Sequence, residues 1–345
     1  MNEKWFRPSD LYWPVVWLCG KMFYAVAPVP LLFLWANLKG WYKSLTSPQR
    51  TAAYNNLFAV FGDVKSEREI RALVRRHFQY AEKNELTYLL PRLPVFARPE
   101  RWPVEGLEHL EAALAAGKGA ILLSAHYGYA RMIKPILSMR GYKVSIVGPK
   151  AGIRYSRRYK QEREQKRSEF TRFGKFMHQR LQVARDSYDV IDLAATLNIR
   201  PLVQVLKRNE ILFIQGDGLH AANLVNVEIL GQSIPFPQGI MSIARGTGAA
   251  VVPVFAVDTP GNLGLRIVIE TPICFGEDVA AAPDTAAAHI EKFARVFESY
   301  VKRYPHLYRW TREKWMEKRR ERGKRTVQER YSELHSGAAM NPDQV

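Results

Sequence analysis

The chain has 345 residues, 47% of them apolar and 24% charged, which suits a folded protein with a sizeable core and excludes a disordered one. Its formal net charge of +18 favours an anionic partner: nucleic acid, an anionic membrane surface or an acidic protein. Nucleic acid is not expected, because the chain has no RNP-type aromatic motif, no helix-turn-helix signal and no zinc spacing. Cys19 and Cys274 lie far apart and form no metal-binding pattern.

The first ten residues carry charges of both signs and do not read as a signal peptide. Two apolar stretches follow, 11–19 with Pro14 and 22–38 with Pro28 and Pro30. A spanning helix needs about 20 apolar residues, and internal prolines kink or break one. Trp13, Trp17, Trp35, Trp41 and Tyr42 are residues that an interface-seeking segment carries. Residues 1–45 therefore read as a membrane-associating segment. A monotopic or re-entrant anchor is favoured over a span, and a buried pair of helices is the plain structural alternative.

From residue 63 the pattern becomes regular. Ser66 and Glu69 have capping-box spacing and open a helix that runs to about residue 90. A short helix is expected at 106–116, a buried strand at 120–125, a helix at 128–139 and a strand at 143–147. A long basic helix follows at 154–173, whose charge fits either a solvated face or the docking of an acidic carrier protein or lipid phosphates. Next come a helix at 197–207, strands at 210–215 and 225–230, a helix at 238–245, strands at 250–257 and 265–269, and an amphipathic helix at 285–303. This alternation predicts an α/β fold over residues 46–310, with a mostly parallel sheet flanked by helices. Residues 311–345 read as a basic C-terminal helix and tail.

In such sheets sites lie at the carboxyl ends of strands, here just after Ala125, Gln215 and Leu230. His126 follows the first strand, placed as a general base entering a helix. Gly216 and Asp217 follow the second; the aspartate is either catalytic support or the anchor of an Asx turn. After Leu230 a turn-rich stretch opens a helix, and such an N-terminus can bind a phosphate, so Pro237 and Gly239 join the substrate-binding candidates. Leu122, Met132, Ile136, Phe213 and Ile240 are either acyl-groove lining or ordinary core.

These stretches, in this order, resemble the lauroyl/myristoyl lipid A acyltransferases of the lysophospholipid acyltransferase superfamily. The likeness covers residues 104–310. It rests on Gly117-Lys118-Gly119 through His126, Gly216-Asp217, Leu230-Gly231 through Pro237-Gln238-Gly239 to Arg245, residues 246–254, and Tyr304-Pro305 to Trp310. The resemblance implies transfer of a fatty acyl chain from an acyl carrier protein or CoA thioester to a hydroxyl of an anionic membrane glycolipid. That would take place at the cytoplasmic face of a bacterial inner membrane, with neither metal nor cofactor. The family signature is His-x4-Asp/Glu, which places the base at His126 and puts Arg131 where the acid belongs. An arginine disfavours an imidazolium beside it and cannot accept a proton from a ring N–H. Three readings follow. Another carboxylate, Asp217, supports His126; Arg131 binds a substrate phosphate; or the scaffold binds lipid without catalysis.

Overall fold

The computed structural model describes residues 28–87, 90–92, 94–147, 190–191, 199–217, 224–273 and 285–311. The expected basic helix at 154–173, both cysteines, the apolar stretch 11–19, residues 22–27 of the second apolar stretch and the tail after residue 311 lie outside them.

Three helices precede the sheet: α1 (Val29–Thr46), α2 (Arg50–Phe61) and α3 (Glu67–Leu86). The capping box is present, with the Ser66 N–H donating to Glu69 Oε2 at 2.8 Å and the Glu69 N–H reaching Ser66 Oγ. α1 lies against α3 so closely that a Cβ on Gly40 would sit 2.4 Å from Gln79 Cα, which no side chain permits. Lys39 and Lys43 on α1 both pair with Glu82 of α3, the first at 2.7 Å. The buried side of α1 is Val29, Leu32, Phe33, Ala36, Gly40 and Ser44, so this part of the chain shares the core.

The sheet strands are β1 (Val104–Glu105), β2 (Ala120–Ser124), β3 (Val144–Val147), β4 (Val190–Ile191) and β5 (Ile211–Gln215), with β8 (Ala250–Asp258) and β9 (Leu265–Ile269). Their order is β1-β9-β8-β2-β5-β3-β4. β8, β2, β5, β3 and β4 run parallel, while β9 is antiparallel to β8 and carries β1 parallel to itself. The apolar run of β2 is explained by this placement. It is central, buried at all five positions and covered on both faces, so it needs no polar alternation. Helices α4 (Leu107–Ala115), α5 (Ile133–Met139), α6 (Arg200–Lys207), α7 (Gly239–Thr247) and α8 (Thr285–Arg303) flank it, α8 with the bounds expected of it. Phe293, Phe297 and Tyr300 of α8 pack on Phe255 of β8, the last at a ring separation of 4.3 Å. Leu122, Met132, Ile136, Phe213 and Ile240 are all buried members of this core.

Two expectations are corrected. The segment after Ala125 does not enter a helix at residue 128. It runs through a tight bend, then a 3₁₀ turn at Ala130–Met132, and α5 begins only at Ile133. Gly128 is left-handed (φ +54°), and its N–H is drawn to the Leu307 carbonyl at 3.0 Å, outside any helical ladder. The strand expected at 225–230 is not in the main sheet. β6 (Leu224–Ile229) pairs antiparallel with β7 (Gln232–Pro237) in a separate hairpin. Leu230 and Gly231, with φ of 53° and 67°, form its two-residue turn, and two positive φ values define a type I′ hairpin turn. Ile229 pairs with Gln232, so the hydrogen-bonded pairs are alternate ones, and Pro235 and Pro237 fall between them where no N–H is needed. Two prolines in six residues read as loop; in an edge ribbon they are tolerated.

Candidate active site

Strand β2 ends at Ser124, with β5 on one side and β8 on the other. Because the three strands are parallel, their carboxyl ends meet at one edge, and the residues that follow them are brought together. His126 comes two residues after β2 and Asp217 two residues after β5. The register that pairs Ser124 with Gln215 sets them opposite each other. The Gly216 N–H donates to the Ser124 carbonyl at 2.7 Å and the Gln215 side-chain amide donates to the Ala125 carbonyl at 3.2 Å, tying the two loops together. A Cβ on Gly216 would approach the Leu123 Cδ1 methyl to 2.7 Å, so with any other residue there the Leu123 side chain would have to shift for the second loop to lie over the first.

The result is a grip in which one carboxylate oxygen holds both the backbone and the ring of His126. Asp217 Oδ1 accepts from the His126 backbone N–H at 2.8 Å and lies 2.7 Å from His126 Nδ1. The carboxylate is acceptor-only, so this contact assigns the ring proton to Nδ1 and leaves the Nε2 lone pair available. The Asp217 side chain is 3% exposed and that of His126 is 38% exposed. A buried acid therefore holds a half-exposed imidazole, the arrangement in which an oriented histidine takes a proton from a hydroxyl.

Arg131, at the position where the resemblance expects an acid, turns elsewhere. Its guanidinium donates to the Asn84 carbonyl at 3.4 Å and to Thr87 Oγ1 at 3.3 Å, at the C-terminal end of α3. A cation is favourable there, beside the last carbonyls of a helix. Pro237 closes β7 and Gly239 opens α7, so both lie at the junction of hairpin and helix and not at the end of a strand of the main sheet. Among the described residues no group of three or more His, Cys, Asp or Glu side chains could hold a metal ion.

Sequence reasoning missed how the bend after His126 is fixed. Tyr127 and Tyr129 are 1% and 0% exposed. Tyr127 OH donates to the Tyr300 carbonyl at 2.7 Å, Tyr80 OH donates to the Gly128 carbonyl at 2.8 Å, and the Tyr129 N–H donates to the Ala256 carbonyl at 2.9 Å. The signal was present in Tyr127-Gly128-Tyr129: two large aromatics around a glycine at a strand end mark a bend that is buried on both sides.

A family model described as bacterial lipid A biosynthesis acyltransferase matches residues 8–317. Comparison with curated proteins gives no match.

Proposed function

Since the chain belongs to the bacterial lipid A biosynthesis acyltransferases, we propose that it moves a fatty acyl chain from an acyl carrier protein or CoA thioester to a hydroxyl of an anionic membrane glycolipid, with His126 as general base. The observation that carries this reading is the 2.7 Å contact of His126 Nδ1 with Asp217. His126 Nε2 takes the proton of the acceptor hydroxyl as its oxygen attacks the thioester carbonyl. The imidazolium that forms is stabilised by the Asp217 carboxylate. Collapse of the tetrahedral intermediate breaks the C–S bond, and the proton on Nε2 passes to the departing thiolate. In this scheme Asp217 supplies the acid that position 131 lacks, and Arg131 is spent on the end of α3. Gly216 serves by letting the two loops close. Pro237 and Gly239 are assigned to the acceptor side, where the start of α7 offers N–H groups to a phosphate.

Work at a membrane surface is supported by α1. Among the described residues its outward face holds seven exposed large apolar side chains: Leu31, Leu34, Trp35, Leu38, Trp41, Tyr42 and Leu45. At 100° per residue they fall within an arc of about 120°, opposite the buried face. The helix is about 27 Å long at 1.5 Å per residue, and no described helix is long and apolar enough to cross a membrane. An apolar stripe with two tryptophans and a tyrosine, on a chain of net charge +18, fits an anionic bilayer surface in which α1 lies in plane as a monotopic anchor.

Two measurements test these statements. Labelled acyl carrier protein and CoA thioesters are supplied with total bacterial membrane lipids, and label is expected in an ester-linked glycolipid. Absence of labelled lipid from either donor would favour the binding-only reading. In the second, wild-type protein is expected to float with anionic vesicles in high salt, and Trp35→Glu/Leu38→Glu to lose that property. Release of wild type by salt alone, or unchanged flotation of the variant, would end the α1 assignment.

A further inference from the structure

Asp258, at the carboxyl end of β8, gathers three donors. Lys83 Nζ and Tyr129 OH each lie 2.7 Å from Oδ1, and His306 Nε2 lies 2.7 Å from Oδ2. The cluster is buried, with side-chain exposures of 1% for Lys83, 7% for Asp258 and 2% for His306. It joins four parts of the chain: α3, β8, the bend after His126, and the 3₁₀ turn Pro305–Leu307. His77 of α3 extends it, its Nδ1 lying 3.0 Å from the His306 carbonyl. Burial alone would raise the Asp258 carboxyl, but the His306 bond and the Lys83 ammonium outweigh it and hold the group at about 2, ionised.

A buried ion pair gives little net stability, because the cost of removing both charges from water offsets their attraction, and well-packed apolar residues do as well. What directional bonds add is angle. The cluster grips Tyr129, the residue after the bent Gly128 and three beyond His126. On the other side of β2, Asp217 grips His126 itself.

We propose that Asp258 is a positioning residue of the acyl-transfer site: through Tyr129 it fixes the Tyr127–Tyr129 backbone, and with it the angle at which His126 meets Asp217 and the acceptor hydroxyl. This rests on His126 being the base. Two acids on strands flanking β2 then divide the work, Asp217 orienting the imidazole directly and Asp258 orienting the backbone that carries it.

Tyr129→Phe is the cleanest probe, since it removes one hydroxyl and leaves the ring packing and the backbone bond to Ala256 in place. Displacements of about 1 Å at a reacting group cost on the order of 100-fold in rate. The expected result is a fall in kcat of at least about tenfold with KM within twofold. Amide hydrogen exchange should rise at residues 126–129 while α3 and the 305–307 turn keep their protection. Unchanged kcat, or a loss of protection spread over all the elements that the cluster joins, would overturn the proposal. Asp258→Leu alone takes the counter-charge from the buried Lys83 ammonium and is prone to unfold, so Lys83→Met/Asp258→Leu, which also removes the acceptor of the Tyr129 hydroxyl, is the partner variant; it should fold and show the same selective exchange at 126–129, and unchanged exchange there would also overturn the proposal. His126→Ala, run beside them, separates the two ideas: equal turnover of that variant and wild type sinks the base, while the exchange data still decide whether Asp258 holds the bend.

Discussion

Replacing Asp217 by Asn keeps the shape of the side chain and removes its charge. Oδ1 of the acid serves both the His126 N–H and Nδ1, so an amide oxygen can keep part of this geometry, but it no longer faces the developing imidazolium with a full negative charge. Opposite charges about 4 Å apart interact by about 4 kcal/mol at an effective dielectric of about 20. The imidazole is 38% exposed, so water screens part of this, and a net loss of about 2–4 kcal/mol is the working range. At about 1.4 kcal/mol per factor of ten, kcat should fall by about 30- to 1,000-fold. KM should change little, because the carboxylate acts on charge that appears only after binding. The assay is steady-state acyl transfer at saturating thioester, with circular dichroism to show that the variant is folded. A folded Asp217→Asn protein within about fivefold of wild-type kcat would refute the argument and return attention to position 131.

Arg131→Glu places an acid at the position where the resemblance expects one. It removes a favourable cation from the end of α3 and should cost about 0.5–1 kcal/mol of unfolding free energy, with kcat within threefold of wild type because Asp217 already supports His126. A large rise in acceptor KM would instead identify Arg131 as a phosphate ligand. Gly128→Ala should lower stability by about 3 kcal/mol or more in denaturant titration, since φ is +54° and the new Cβ would lie 2.1 Å from the Ala256 carbonyl oxygen; a variant of near wild-type stability would contradict the tight bend. Burial pushes the His77 imidazole down to about 4 from 6.5, against the His306 carbonyl, which favours the protonated form. The folded state therefore binds fewer protons than the unfolded one, so stability is intact above about pH 6.5 and falls as pH drops towards 4. Between pH 7 and pH 5 this amounts to about 2 kcal/mol, and His77→Gln should remove that share of the slope.

Much of the framework was legible because it rests on local pattern. The run at 120–124 is apolar without alternation, and only a central strand covered on both faces needs that. Ser66 and Glu69 announce the start of α3 through two hydrogen bonds that any sequence reader can anticipate. The amphipathic period of α8 fixes its bounds at Thr285–Arg303. The hairpin was harder. Its turn has Leu230 at positive φ, where Asn, Asp or Gly is usual, and its second strand contains two prolines that read as loop.

The candidate site was legible in part. His126 and Asp217 could be singled out because each follows a strand whose carboxyl end is a place for function. That they touch depends on β2 and β5 being neighbours in parallel register, a fact of topology across 91 residues of sequence. The Asp258 cluster was not legible at all. Glu82-Lys83 lies in a charged stretch of α3, and the counter-charge of the buried Lys83 is 175 residues away. A charge can be buried only with its counter-charge, and sequence spacing does not reveal such a pair.

The most direct test of the central claim is single-turnover transfer from a labelled acyl thioester to membrane glycolipid, comparing wild type with His126→Ala at equal folded concentration. Labelled ester should form with wild type and be lost in the variant while vesicle binding is retained. Equal label in both proteins would show that acyl transfer does not pass through His126, and no label with wild type would show that the scaffold binds lipid without catalysing transfer.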